Sequence, residues 1–158
     1  MSDAKNEIIA EFTKEILRVN LAFRQYIQAK LRAENMDLTF EMVQVLGCLW
    51  TSDGINQQEI ANITVKDKAS MTYLIDNLTK RRLVYRQEDT NDRRNKIIFL
   101  TDTGKALQAK MQPWLWEMHD FAGSDMPAEM ITGCMKVLEK FRENLRPACD
   151  GCTEKPHN

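Results

Sequence analysis

The segment from Asn56 to Leu100 constrains the fold most, because its apolar spacing changes from helical to extended across one short polar break. Asn56-Gln57-Gln58-Glu59 reads as a capping box, in which the Asn56 side chain accepts from the Glu59 amide and Glu59 reaches back to the Asn56 amide. A very short helix follows, ending near Asn62, with Ile60, Ala61 and Ile63 expected in the core. Asp67 is placed to cap a second helix that runs to Lys80 or Arg81 and turns Met71, Leu74, Ile75 and Leu78 inward. The period then falls to two. Leu83-Val84-Tyr85-Arg86 and Lys96-Ile97-Ile98-Phe99-Leu100 read as strands around a polar stretch too hydrophilic to bury itself. Two tightly joined helices followed by a polar-tipped hairpin form a winged helix-turn-helix, in which the second helix fits a major groove and the tip reaches a neighbouring one.

The flanking segments are helical. Apolar residues at 8, 12, 16, 19, 23, 26, 27 and 31 recur at three and four. That helix, Ile8 to Leu31, is longer than one compact lobe needs, so part of its stripe is expected to meet a second subunit. Thr39 caps the next helix, with Leu38 positioned to staple against Val43, and Asp53-Gly54 stops it. Thr101 caps a helix that Pro113 should kink or divide. After the break at Gly123-Ser124-Asp125, Met130, Ile131, Cys134, Val137, Leu138, Phe141 and Leu145 mark the apolar side of a last helix, expected to end at Pro147. The fold class is therefore mainly α with a small β wing.

At 158 residues, 43% hydrophobic and 28% charged, the chain suits one integrated globular domain. It offers neither an apolar run long enough to span a membrane nor a signal-peptide pattern at its start, so a cytoplasmic protein without membrane contact is expected. The net charge of −1 hides an asymmetry: residues 66–96 carry nine Lys or Arg against five Asp or Glu, a net of plus four, leaving minus five elsewhere. A basic segment within an acidic protein fits a polyanion footprint confined to one face, and equally an ordinary solvated surface. No enzyme is expected. His119 and His157 are the only histidines and stand in no metal-ligand spacing, and neither a Gly-rich phosphate loop nor a nucleophile elbow occurs, so no cofactor or metal is expected either.

Within this frame particular residues match a family. Leu38-Thr39, Val45-Leu46, Gln58-Glu59-Ile60-Ala61, Asp67-Lys68-Ala69-Ser70-Met71-Thr72, Leu74-Ile75-Asp76-Asn77-Leu78, Leu83-Val84, Arg86, Asp92-Arg93-Arg94 and Leu100-Thr101-Asp102-Thr103-Gly104 follow in order without a large gap. Over roughly residues 38–107 the chain resembles the MarR (multiple antibiotic resistance) regulators. The resemblance implies a homodimer with an N-terminal dimerisation helix over 1–35, a winged DNA-binding lobe over 36–101, C-terminal dimerisation helices over 102–146 and a polar tail over 147–158. It further implies a palindromic double-stranded operator and repression relieved by a small apolar or aromatic effector, or by oxidation. A dimeric winged-helix protein-interaction module without specific DNA binding is the other class, and the charged wing argues against it.

The expected DNA contacts follow from residue chemistry. Lys68, Ala69, Ser70, Thr72 and Tyr73 open the second helix of the motif; the hydroxyls suit phosphates or bases, the ammonium suits phosphate or guanine, and the methyl suits thymine. Gln57 and Gln58 open the helix before it, where either can hold the DNA backbone or be a polar surface residue. The family's Asp-x-Arg wing element falls on Asp92 and Arg94, where a carboxylate can hold a guanidinium ready for phosphate or a minor-groove edge. Arg93 and Lys96 add positive field, and Arg81, Arg82 and Arg86 are candidate phosphate clamps. Arg82 departs from the family, which often has glycine there, and that leaves the shape of its turn open. Met36, Met42, Trp50, Met111, Trp114 and Met118 gather sulfur and aromatic surface for an apolar effector, or simply for core packing. Cys48 and Cys134 lie on apolar helix faces as packing residues, whereas Cys149 and Cys152 have a spacing that permits a dithiol, a disulfide, a soft-metal pair or two idle thiols.

Overall fold

Local capping sets the frame. The computed structural model describes residues 3–90, 92 and 95–150, the side chains of 147–150 excepted, so Arg93, Arg94, Cys152 and the Cys149 side chain lie outside the described residues. Helix α1 (Asp3–Ala33) is followed by α2 (Phe40–Thr51), where the Thr39 hydroxyl accepts from the Met42 amide at 3.2 Å. A two-residue strand β1 (Ile55–Asn56) leads into α3 (Gln57–Ile63), and Asp67 caps α4 (Lys68–Lys80) by accepting from the Ser70 amide at 2.8 Å. Strands β2 (Val84–Glu88) and β3 (Lys96–Leu100) form the hairpin, and Thr101 opens α5 (Asp102–Gly123) by accepting from the Gly104 amide at 3.1 Å. Helix α6 (Ala128–Asp150) closes the described chain.

The hairpin register pairs Val84 with Leu100 and Glu88 with Lys96, and β1 adds to the other edge of β3, giving the antiparallel order β1-β3-β2. Asp53 fastens α2 to this sheet: its Oδ1 accepts from Leu100 N at 2.8 Å and from Gly54 N at 3.0 Å. One apolar cluster, including Leu46, Leu49, Ile60, Met71, Ile75, Leu78, Val84 and Ile98, binds α2, α3, α4 and the sheet together. Each such side chain contributes about 1.5–3 kcal/mol on burial. A second cluster of Ile27, Leu31, Phe40, Val43, Met111 and Met118 joins α1, α2 and α5.

Several expectations change. Asn56 caps through the Gln58 amide at 2.7 Å instead of the Glu59 amide, because Asn56 is itself a strand residue paired with Ile97 and its side chain folds over the nearer donor. Ile63 is 57% exposed instead of buried: Ile60 and Ala61 fill the inner face of so short a helix, and Thr64 turns back to bond the Ile60 carbonyl. Pro113 does not divide α5, and α6 runs past Pro147. In both helices the carbonyl four residues back, on Ala109 and Glu143, belongs to an exposed residue where water can replace the missing donor.

Helix α4 ends in a Schellman motif, with Arg82 N donating to Thr79 O at 2.9 Å and Leu83 N to Leu78 O at 3.0 Å. This motif requires a left-handed residue at its corner, and Arg82 takes it with φ +56°. The turn thus keeps the shape that glycine would give, at a cost of about 1 kcal/mol for an L side chain. Arg82→Gly is expected to raise the melting temperature by about 1–3 °C, the relieved strain exceeding the added freedom of the unfolded chain. A fall in calorimetric melting temperature would show that the Arg82 side chain stabilises the fold.

Residues Met1–Met118 and His119–Asn158 form two compact units. In the first, the N-terminal part of α1 leaves Ile8, Leu17, Val19 and Leu21 exposed. In the second, α6 exposes Met130, Ile131, Val137, Leu138 and Leu145. Cys134 is exposed among the described residues, whereas Cys48 is half-buried and burial pushes its thiol pKa up. Among the described residues no helix is long and apolar enough to cross a membrane.

Candidate nucleic-acid interface

Helix α4 carries the candidate surface because its period separates two faces. Met71, Leu74, Ile75 and Leu78 are buried, so residues 68, 72 and 76, with 69 and 73 beside them, turn outward. Lys68, Ala69, Thr72, Tyr73 and Asp76 line one open groove along that face, and Tyr73 is 67% exposed. Such a face combines an ammonium, a methyl, a hydroxyl and an aromatic ring, which between them can contact phosphate, thymine methyl and base edges.

The first turn of α4 is held rigidly. Asp67 accepts from both the amide and the hydroxyl of Ser70, at 2.8 and 2.6 Å, and these bonds hold its carboxyl below the usual aspartate pKa. Ser70, expected to contact DNA, therefore has its hydroxyl proton committed to the cap. Thr72 donates to Lys68 O at 2.9 Å and accepts from Gln57 Nε2 at 3.1 Å, which links α3 to α4.

The arginines are less available than their charge suggests. Arg81 grips the loop before α2, its Nε on Asp37 O at 2.7 Å and its Nη2 on Asp37 Oδ2 at 2.6 Å, with Nη1 on Asn77 O at 3.1 Å. Arg86, on β2, donates to Asp76 Oδ1 at 2.6 Å, Gln57 Oε1 at 3.3 Å and Thr72 O at 3.4 Å. Arg82 is exposed. Lys96 pairs with Glu88 at 2.7 Å at the tip end of the hairpin ladder, which holds the Glu88 carboxyl below its ordinary pKa. Asp92 is exposed, and its carbonyl accepts from Asn95 N at 2.9 Å.

Between α3, α4 and β3 lies a cleft of about 370 Å³, bordered by Asn56, Gln57, Gln58, Lys68, Asn95 and Lys96. It sets two lysines among carboxamides beside the α4 face. Asn56, Asp76 and Asn95 were not among the residues expected from sequence. Asp76 was detectable there, since it stands four and eight residues after Thr72 and Lys68 and so shares their face.

The apolar residues divide differently. Met42 and Met111 are fully enclosed in the two cores, while Met36, Trp50 and Trp114 pack partly buried against them. Trp50 Nε1 donates to Gly104 O at 3.0 Å. An apolar groove of about 450 Å³ does exist between α1, α2 and α5, bordered by Phe23, Ile27, Phe40, Val43, Leu115 and Met118. Of the expected pocket residues Met118 alone borders it. Phe23, Phe40 and Val43 were missed because nothing in a helical repeat distinguishes a groove wall from a core contact.

A capped, outward-facing α4 beside a three-stranded wing defines a winged helix-turn-helix protein. Residues 38–96, which contain the winged helix-turn-helix, match the MarR family model. It is 36% identical over 120 residues to the HTH-type transcriptional regulator TtmR of Methylorubrum extorquens, covering 76% of this chain and 60% of that one. It is also 32% identical over 90 residues to the uncharacterized HTH-type transcriptional regulator YhbI of Bacillus subtilis, covering 57% of this chain and 56% of that one. The chain thus spans less than two thirds of the length of these two relatives. Among solved structures, S. aureus MepR in its DNA-binding conformation superposes with a TM-score of 0.76 at 26% identity, over 85% of this chain and 98% of that one.

Proposed function

We propose that the chain is a homodimeric, sequence-specific regulator of transcription that binds double-stranded DNA in the cytoplasm and represses from a palindromic operator. The outward face of α4, flanked by the wing, carries this reading: Lys68, Ala69, Thr72 and Tyr73 lie on one exposed helical surface. A second copy supplies the second half-site, and the exposed apolar stripes of α1 and α6 are the surfaces it covers. Arg94, assigned to the wing from the Asp92-x-Arg94 pattern, reaches phosphate or the minor groove. The apolar groove beside Phe23, Phe40 and Met118 takes the small apolar or aromatic effector that relieves repression. The test is a titration of fluorescent duplex DNA at rising salt. Affinity that falls steeply with salt supports the reading, and failure to bind even at low ionic strength refutes it.

A further inference from the structure

Asp76 is an electrostatic fault on the α4 face. Its carboxylate lines the same groove as Lys68, Thr72 and Tyr73, where an approaching duplex brings phosphates. Screening extends over about 8 Å at physiological salt, so a negative charge inside the groove repels any phosphate seated there. Arg86 answers that charge from behind. Its Nη1 lies 2.6 Å from Asp76 Oδ1, and its side chain is only 28% exposed against 46% for Asp76. Its Nε and Nη2 donate to Gln57 Oε1 and Thr72 O, and Gln57 in turn donates to Thr72 Oγ1.

Resting on the DNA-binding reading above, we infer that Arg86 is a positioning residue that acts on DNA binding through Asp76: it masks that carboxylate and does not itself contact DNA. The phosphate-clamp role expected from sequence makes the opposite prediction for a double substitution. If Arg86 touched phosphate, its loss would weaken binding whatever stood at position 76. If it masks Asp76, removing the carboxylate as well removes the need for the mask.

The experiment measures affinity for a fluorescent duplex with the full chain as wild type, Arg86→Ala, Asp76→Asn and the double variant, each checked for folding by circular dichroism. Arg86→Ala is expected to bind about tenfold more weakly, Asp76→Asn to stay within about threefold of wild type, and the double variant to recover to within about threefold. A double variant as weak as Arg86→Ala overturns the inference, as does an Arg86→Ala protein that binds normally. If Arg86→Ala does not fold, Arg86→Gln, which keeps a long polar side chain but no charge, replaces it in the same comparison. Absence of DNA binding by the wild type is a different result and refutes the DNA-binding reading itself.

Discussion

Gly104→Ala is expected to destabilise the protein by about 3 kcal/mol, a fall of roughly 10 °C in melting temperature for a chain of this size. The cause is backbone against backbone. A Cβ on Gly104 would land inside the van der Waals contact of the Leu83 carbonyl oxygen and press on a Leu100 methyl. Neither partner is free to move. Leu83 O accepts from Thr101 N at 3.1 Å, and Leu83 N is bonded to Leu78 O in the Schellman motif of α4. Gly104 itself is held by the Thr101 cap at its amide and by Trp50 at its carbonyl. Relief requires the start of α5 to lift from β2, which breaks those bonds together. Thermal unfolding followed by circular dichroism measures the effect, and a change below about 2 °C would show that the junction yields more easily than this bonding implies.

The second large effect concerns assembly. Ile131 and Leu138 stand seven residues apart on one side of α6, and both are exposed in the single chain. Glutamate at both positions is expected to convert a dimer into monomers and to abolish tight operator binding. Each apolar side chain buried at an interface contributes about 2 kcal/mol, and an unpaired carboxylate there costs more than the lost contact. Light scattering coupled to size exclusion reads the change. A double variant that stays dimeric would place the interface elsewhere, and a monomeric wild type would remove the basis for two half-sites.

What the sequence made legible was local. Thr39, Asp67 and Thr101 were recognisable as caps because a cap needs one oxygen-bearing side chain at the start of an apolar repeat, and all three bond the expected helix starts. The inward residues of α4 followed from period in the same way. Strand β1 was not legible, since two residues display no alternation; it exists because Ile55 and Asn56 find β3 more than forty positions away. The arginines show the same limit. Arg81 and Arg86 look like free phosphate clamps in a basic run, but Asp37 is 44 residues from Arg81, and Gln57 is 29 residues from Arg86. Only the fold brings those partners together. At Arg82 the departure from glycine was visible and its consequence was not, because the Schellman bonds hold the left-handed turn against the strain.

Binding of duplex DNA by the α4 face and wing through its phosphates is read by fluorescence anisotropy of a labelled duplex across a salt series. Saturable binding is expected at low ionic strength, with the logarithm of affinity falling linearly against the logarithm of salt at a slope of several units, about 0.9 for each phosphate neutralised. Binding absent at the lowest salt, or present with a slope near zero, would contradict it.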